Sequence, residues 1–118
     1  MRAPDVRTEH RGSTLLATLS GDVDLSNVAT VRARLVAALG DDVDSLVLDL
    51  TGAGYIDSTG VRLLFDMAER FARSGERVRA VIPSDALVRR VASLTNLDQV
   101  VDIHETVDAA LASLNSRS

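Results

Sequence analysis

The sequence predicts an α/β fold: a mixed, mostly parallel sheet of about five strands with about four helices, in the order ββαβαβαβα. Two patterns support this prediction. Short apolar and β-branched segments alternate with segments whose apolar residues recur every three or four positions, as in parallel sheets joined by crossover helices. The first two strands are separated only by the turn-forming tripeptide 11–13, which predicts a hairpin and makes the sheet mixed. Residues 1–118 contain no linker or repeat, so we expect one domain.

Five segments have the composition of strands. The third, 45–50, is almost continuously apolar and is typical of a central strand that helices cover on both faces. The fourth ends at Pro83, which cannot donate a backbone hydrogen bond to a sheet. In chain order, the predicted strands are residues 6–10, 14–19, 45–50, 77–82 and 100–103.

Four segments have the apolar spacing of amphipathic helices, and the first and last are predicted at about 26–39 and 105–114. The helix starts carry residues whose side chains can accept backbone hydrogen bonds. Asp24 or Ser26 can cap the first helix, Asp57 the second and Ser84 the third. The first three helices are expected to end at Gly40, Gly75 and Asn96. In the third helix, four apolar residues are expected to face inward: Leu87, Val88, Val91 and Leu94.

Composition excludes several classes of enzyme. The chain has no Cys, which excludes disulfides, thiolate catalysis and Cys-ligated metals, and fits a reducing cytoplasm. All 13 basic residues are Arg. Without Lys, the segment 54–60 cannot be a P-loop, and Schiff-base chemistry is impossible.

The same composition predicts location and partners. The net charge of −4, the scattered Arg residues and the 3% aromatic content disfavour binding of nucleic acid. No apolar run approaches the ~20 residues of a membrane span, and the polar residues 1–11 lack the apolar region of a signal peptide. We therefore expect a cytoplasmic protein that binds neither nucleic acid nor membrane, and that is a monomer or a weak dimer.

Acidic and hydroxyl side chains collect at one edge of the predicted sheet. Binding sites in open α/β sheets form outside the carboxyl ends of the strands. Asp22 and Asp24 follow the second strand, and residues 49–60 follow the third, so these loops are expected to meet. Tyr55, the one tyrosine, could pack inward or anchor an interface.

The segment Asp57-Ser58-Thr59-Gly60 opens the second helix. Asp57 is the expected N-cap, which contributes about 1 kcal/mol through a backbone hydrogen bond and the helix dipole. Ser58 and Thr59 then lie beside free N–H groups, which favour an anion such as a phosphoryl group. From spacing alone, a phosphoacceptor hydroxyl and a simple helix start are equally good interpretations. Gly60 in the first turn indicates close packing or close approach of another backbone.

Other chemistries fit these residues less well. A catalytic Ser58 would need the G-x-S-x-G pattern, but Ile56 stands where the first Gly belongs. It would also need a His, and His10 and His104 are expected to be ordinary surface or loop residues. The segment 22–24 is similar to the start of a calcium loop but lacks the Gly and the distal Glu. We expect no enzyme activity, no metal and no cofactor.

Three segments of the chain resemble the STAS domain of bacterial anti-sigma factor antagonists. They are LSGDVDLSN, LVLDLTGAGYIDSTGVRLL and TNLDQVVDI. The resemblance covers nearly the whole chain in element order and length, and its D-S-(S/T)-G core is specific to this family. It implies the STAS fold.

The resemblance implies regulation of sigma factors by partner switching. The unphosphorylated antagonist binds an anti-sigma factor, which is also a serine kinase with a histidine-kinase-like ATPase fold, and so frees the sigma factor. The kinase then phosphorylates the Ser after the motif Asp, which is Ser58 here, and the complex separates. A PP2C-type phosphatase reverses the reaction. Thr59 replaces a frequent second Ser and is a secondary candidate acceptor.

The resemblance also implies a partner-binding surface around Ser58. Asp24 matches the end of the family's GELD-like segment near the phosphorylation site, and Asp22 stands where the family often has Glu. Arg62 adds a positive charge near the phosphate position. The expected surface consists of Asp22, Asp24, Ser26, Tyr55, Asp57, Ser58, Thr59, Gly60 and Arg62.

Two other functions remain as alternatives. The first is a STAS scaffold or sensor module in a regulatory complex, without phosphorylation in its own pathway. A hydrolase that uses Ser58 is a more distant third.

Overall fold

Six strands and four helices make up the described part of the chain, residues 4–115 of a computed structural model. The strands are Asp5–Arg11 (β1), Thr14–Val23 (β2), Ser45–Asp49 (β3), Ala53–Ile56 (β4), Arg79–Val81 (β5) and Asp102–His104 (β6). The helices are Val28–Ala38 (α1), Ser58–Ala72 (α2), Leu87–Leu94 (α3) and Val107–Asn115 (α4), and Leu97–Gln99 forms a short 3-10 turn. Residues 1–3 and 116–118 of the predicted domain lie outside the described residues.

The sheet is mixed and mostly parallel, which confirms the predicted fold class. Its strand order is β1-β2-β3-β5-β6, and β4 pairs with β2. β1 and β2 form the predicted antiparallel hairpin, and the other pairs are parallel. β2 therefore serves two parallel neighbours: its first half pairs with β3 and its second half with β4.

The second half of β2 extends beyond the predicted strand 14–19. The sequence there contains Gly21, which usually interrupts a strand. Gly21 has a φ of +85°, and the register between β2 and β4 shifts after it. A bulge at a glycine lets the chain keep pairing after an irregular residue, so the strand continues to Val23.

β4 was not predicted from the sequence. It has only four residues and includes Gly54, so its composition is not typical of a strand. In the register with β2, Asp22 pairs with Tyr55 and Val23 with Ile56. This pairing brings the end of β2 beside the segment that leads into α2.

The core occupies both faces of the sheet. Leu46 and Leu48 of β3 belong to the larger apolar cluster, which contains the buried faces of α1 and α2. Val47 belongs to a smaller cluster on the opposite face, with Ala110 of α4. β3 is thus covered on both faces, which confirms the interpretation of its continuous apolar run.

The caps predicted at Asp24, Ser26 and Ser84 are wrong. The residue before α1 is Asn27, whose side chain makes no capping hydrogen bond. Asp24 and Ser26 lie in the preceding turn, where the Asp24 carboxylate accepts the Ser26 N–H at 2.9 Å. The N–H of Ser84 donates to the Glu105 carboxylate at 3.2 Å, because the segment before α3 lies against the end of β6.

α3 is shorter than predicted and buries a different face. Val88 and Ala92, four residues apart, are buried, and Val91 packs partly against the core. Leu87 and Leu94 are exposed, so the prediction that they face inward is wrong. Both pairs have helical spacing, and only packing against β4 selects the face that is buried.

Two of the predicted helix ends are confirmed by left-handed residues. Gly75 has a φ of +78° after α2, and Asn96 has a φ of +63° after α3. Gly40 follows α1 without a left-handed φ. The predicted strand at 100–103 begins later, at Asp102, because the 3-10 turn precedes it. Within residues 4–115, no helix combines the length and apolar content needed to cross a bilayer.

Candidate functional site

The Asp57 carboxylate joins the start of α2 to the loop between β2 and α1. Asp57 is the N-cap of α2, as predicted, and its Oδ1 accepts the N–H of Thr59 at 2.9 Å and of Gly60 at 3.2 Å. Its Oδ2 accepts the N–H of Leu25 at 3.1 Å. One side chain therefore satisfies two free donors of the helix and one donor of a loop 32 residues away.

Hydrogen bonding keeps Asp57 ionised. The Thr59 hydroxyl donates to Oδ1 at 2.6 Å and is the largest cause of the lowered pKa of the Asp57 carboxyl. The N–H groups of Gly60, Leu25 and Thr59 lower the pKa further, and together they outweigh the burial that raises it. The carboxylate charge thus stays at the helix N-terminus at neutral pH, where the helix dipole favours it.

The two neighbouring hydroxyls have different environments. Thr59 is half-buried, and its hydroxyl is held by Asp57. Ser58 is exposed, and its hydroxyl has no hydrogen-bond partner among residues 4–115. Spacing alone did not distinguish these two side chains, and in the structure Ser58 is the more exposed of the two.

The loop before α1 is an ordered turn. The Asp24 carboxylate accepts the N–H of Ser26 at 2.9 Å and also its hydroxyl. The Asn27 side chain closes the turn, since its Oδ1 accepts the Asp24 N–H at 3.0 Å and its Nδ2 donates to the Asp22 carbonyl at 2.9 Å. Sequence analysis missed Asn27, although Asn is a common turn residue.

Two exposed apolar side chains flank Asp57. Tyr55 lies two residues before it in β4 and is 46% exposed, so it does not pack fully inward. Leu25, which donates its N–H to Asp57, is 76% exposed. Leu25 was not predicted from the sequence, although an apolar residue among polar turn residues is a signal of an exposed contact.

A shared carboxylate lies about two turns along α2. Asp66 accepts Arg32 Nη2 from α1 at 2.8 Å and Arg62 Nε from its own helix at 3.3 Å. The hydrogen bond from Arg32 is the largest cause of the lowered pKa of the Asp66 carboxyl. Arg62 follows Ser58 by four residues, so the two side chains are neighbours on the same side of α2.

Gly60 is buried where α2 meets β2 and β4. An added Cβ would lie 2.5 Å from Ile56 Cγ2 and 3.1 Å from Val23 Cγ1. Close packing of these side chains therefore explains why the residue is a glycine. The Val23 carbonyl oxygen would lie 3.4 Å from the added Cβ.

The two histidines lie away from this cap. His10 on β1 pairs through Nε2 with the Ala38 carbonyl at the C-terminal end of α1, at 3.0 Å. His104 lies in β6 and not in a loop, and its buried Nε2 has no hydrogen-bond partner among the described residues. Across residues 4–115, no group of three or more His, Asp or Glu side chains could hold a metal ion.

The fold and this geometry define a small α/β domain with a free hydroxyl at the start of a helix. Beside it lies the loop of Asp22 and Asp24, here called the acidic turn. The sequence model of the STAS domain family matches residues 5–110. The chain therefore belongs to the STAS domain family, as its motifs indicated.

Several similar proteins are anti-sigma factor antagonists by name. The chain is 26% identical to the anti-sigma-F factor antagonist RsfB of Mycobacterium tuberculosis, over 97% of this chain and 94% of that protein. The crystal structure of an anti-sigma factor antagonist from Mycobacterium paratuberculosis has a TM-score of 0.82 at 23% identity, and covers 97% of this chain and 96% of its own.

SpoIIAA of Bacillus, also an anti-sigma factor antagonist, has been solved in two states. Its unphosphorylated form has a TM-score of 0.73 at 18% identity, with 98% of this chain and 100% of that chain covered. Its phosphorylated form has a TM-score of 0.71 at 20% identity, with 93% and 99% covered. At these identities the likeness shows that the fold is shared.

The packing around Gly60 leads to a prediction about stability. Gly60→Ala is expected to lower the free energy of unfolding by about 1–3 kcal/mol, because the new Cβ would overlap Ile56. Gly40→Ala is the matched control, since no atom lies within 4 Å of its added Cβ, and it should change stability by less than about 0.5 kcal/mol. Urea denaturation measures both, and equal stability of the two variants would contradict the packing.

The lowered pKa of Asp57 predicts a pH-dependent contribution to stability. The folded-state pKa lies below the unfolded one, so the contribution is present above the unfolded pKa and is lost as pH falls through the folded pKa. Asp57→Ala should therefore cost about 0.5–2 kcal/mol at pH 7, and the gap to wild type should narrow on acidification below about pH 4.

Denaturation at a series of pH values measures this gap. Asp41→Ala removes an exposed carboxylate from the turn after α1 and is the control, with an expected change below about 0.5 kcal/mol. A gap for Asp57→Ala that stays constant down to the acid limit would show that the charge of Asp57 is not what stabilises the cap.

Proposed function

We propose that this chain is an anti-sigma factor antagonist whose activity is switched by phosphorylation of Ser58. In this proposal, the unphosphorylated form binds a cognate anti-sigma factor that is also a serine kinase, and binding releases the sigma factor. The kinase then phosphorylates Ser58 and the complex separates, until a PP2C-type phosphatase restores the free hydroxyl. The observation that carries the proposal is the exposed, unbonded Ser58 hydroxyl at the start of α2.

The choice of Ser58 over Thr59 is supported by hydrogen bonding. The Thr59 hydroxyl already donates to the Asp57 carboxylate at 2.6 Å, and it is half-buried. To accept a phosphoryl group it would have to leave that carboxylate, which would weaken the cap. Ser58 can be modified without the loss of any hydrogen bond, so Thr59 remains a secondary acceptor.

The proposed partner surface surrounds the Ser58 hydroxyl. Tyr55 and Leu25 offer exposed apolar area that a partner could bury, and apolar anchors of this kind contribute much of the binding energy at interfaces. The acidic turn and the first turn of α2 form the polar margin of the same surface. The remaining proposed contacts are Asp22, Asp24, Ser26, Asp57 and Arg62. Gly60 was expected in this surface, but it is buried against Val23 and Ile56 and can only support the surface from below.

A phosphoryl group at Ser58 would oppose binding electrostatically. It adds a charge of about −1.5 to −2 next to the ionised Asp57 and near the acidic turn. A protein that covered Tyr55 and Leu25 would remove water from the phosphoryl group. Burying a charge without an opposite charge beside it costs free energy. Asp57 already accepts the N–H groups of Thr59 and Gly60, so the dipole of α2 is what favours an anion here. The fold is therefore expected to persist while the surface changes.

The names of similar proteins support the same function. RsfB and the Mycobacterium paratuberculosis protein are described as anti-sigma factor antagonists, and SpoIIAA exists in a phosphorylated form. An unphosphorylated scaffold or sensor would use the same fold but would not need the free hydroxyl. Whether Ser58 becomes phosphorylated therefore distinguishes the switch from the scaffold.

Phosphorylation of variants tests the proposal. Serine kinases of the histidine-kinase-like ATPase class from the organism that encodes this chain would be incubated with it and ATP. We expect one phosphate on wild type and on Thr59→Ala, and none on Ser58→Ala, by intact mass. Labelling that survives in Ser58→Ala and disappears in Thr59→Ala would contradict the assignment to Ser58. Stable binding without labelling of any variant would favour the scaffold.

Binding of the same kinase by Ser58→Asp and Ser58→Asn separates charge from shape. Ser58→Asp is expected to bind at least about tenfold more weakly than Ser58→Asn by calorimetry, since only the former adds a charge. Equal affinities would remove the electrostatic account.

A further inference from the structure

Arg62 occupies a position from which it can reach two different anions. It follows Ser58 by four residues on α2, a spacing at which helical side chains are neighbours. At present its Nε donates to Asp66 at 3.3 Å, and its side chain is 79% exposed. The other oxygen of Asp66 is held by Arg32 at the shorter distance of 2.8 Å.

We propose that Arg62 is a phosphate clamp: when Ser58 is phosphorylated, Arg62 leaves Asp66 and pairs with the phosphoryl group over the first turn of α2. This inference rests on the proposed function, because it concerns the phosphorylated state of Ser58. It assigns to Arg62 the role of holding the phosphoryl group on the surface of this chain.

The exchange of partners leaves no charge unpaired. Asp66 keeps its shorter ion pair with Arg32, which bridges α1 and α2, so the helix packing does not depend on Arg62. A dianionic phosphoryl group offers three acceptor oxygens to a guanidinium, and such charge-assisted pairs are stronger than a pair with a carboxylate that is already shared. Because Arg62 is mostly exposed, its side chain can turn without displacing packed atoms.

Helix geometry and the neighbouring charges favour the same direction. The Cα–Cβ bonds of a helix tilt toward its N-terminus, so the side chain of Arg62 starts toward the turn that contains Ser58. On the N-terminal side of Ser58 lie Asp57 and, through its bond to Leu25, the turn that contains Asp24. These carboxylates repel the phosphoryl group from the loop and toward Arg62.

The clamp has a regulatory consequence. An Arg62 contact favours the dianionic phosphoryl group and shields part of it from an approaching phosphatase. The phosphorylated, non-binding state should therefore last longer than it would without this side chain.

Arg73 provides a matched control on the same helix. It lies at the C-terminal end of α2 and pairs with Glu69, four residues earlier, at 3.3 Å, with 74% of its side chain exposed. Arg62→Gln and Arg73→Gln therefore remove equal charges from similarly exposed side chains, and Arg73 lies 15 residues from Ser58 along the chain.

The test uses the full chain with phosphoserine inserted at position 58 during synthesis, through an expanded genetic code. Phosphorus NMR follows the second ionisation of the phosphoserine in three forms: unchanged, Arg62→Gln and Arg73→Gln. The midpoint in the unchanged form should lie about half a pH unit below that of Arg62→Gln and should equal that of Arg73→Gln. Arg62→Lys should recover part of the shift, since it restores the charge without the planar fork.

The outcomes divide clearly. Equal midpoints in all three forms would overturn the clamp. Equal shifts on removing Arg62 and on removing Arg73 would also overturn it, because they would show a general effect of charge. As an independent measurement, the Arg62 Nε–H resonance should move on phosphorylation while that of Arg73 stays in place. Because no kinase is used, failure of the clamp is distinguishable from failure of the proposed switch, which depends on labelling by the kinase.

Discussion

The site depends on one carboxylate, that of Asp57. It accepts hydrogen bonds from three backbone N–H groups and one hydroxyl, and these donors come from the start of α2 and from the loop before α1. The bond to Leu25 fixes the loop against the helix, and the bond from the Thr59 hydroxyl engages one of the two candidate acceptors. The same cap leaves the Ser58 hydroxyl free, so the proposed phosphoacceptor is set by the residue that starts the helix.

The pairing of β4 with β2 places Asp57 at this position. β2 continues past the bulge at Gly21, and β4 pairs with its end, so the Asp57 N–H reaches the Val23 carbonyl at 3.1 Å. The first turn of α2 then packs so closely on Val23 and Ile56 that a Cβ at Gly60 does not fit. The hydroxyl of Ser58 thus lies at a closely packed junction of two strands and a helix, the kind of support that the proposed recognition site would need.

Local signals in the sequence predicted most of the fold. The continuous apolar run of β3, the capping residue Asp57 and the helix-ending Gly75 each act within a few residues of their own position. The predictions failed where the outcome depends on distant contacts. β4 exists because the end of β2 is available for pairing. Packing against β4 also selects which of two apolar pairs of α3, both at helical spacing, is buried.

The candidate site divides in the same way. The motif and the cap predicted where the candidate site lies. The hydrogen bond between Leu25 and Asp57 spans 32 residues, however, and the Arg32–Asp66 ion pair spans 34. Neither contact has a local signature, so Leu25 and Asn27 were missed. Spacing alone did not distinguish Ser58 from Thr59, because the difference between their hydroxyls arises in the folded cap. The resemblance to the STAS family implied Ser58.

Amide hydrogen exchange in wild type and Asp57→Asn tests most directly whether the Asp57 carboxylate holds the loop. An Asn side chain keeps one oxygen that can cap Thr59 and Gly60, but its NH₂ group cannot accept the N–H of Leu25. The account predicts that the Leu25 amide exchanges about tenfold faster or more in Asp57→Asn, while the Thr59 and Gly60 amides change less. Equal exchange of the Leu25 amide in the two proteins would contradict it.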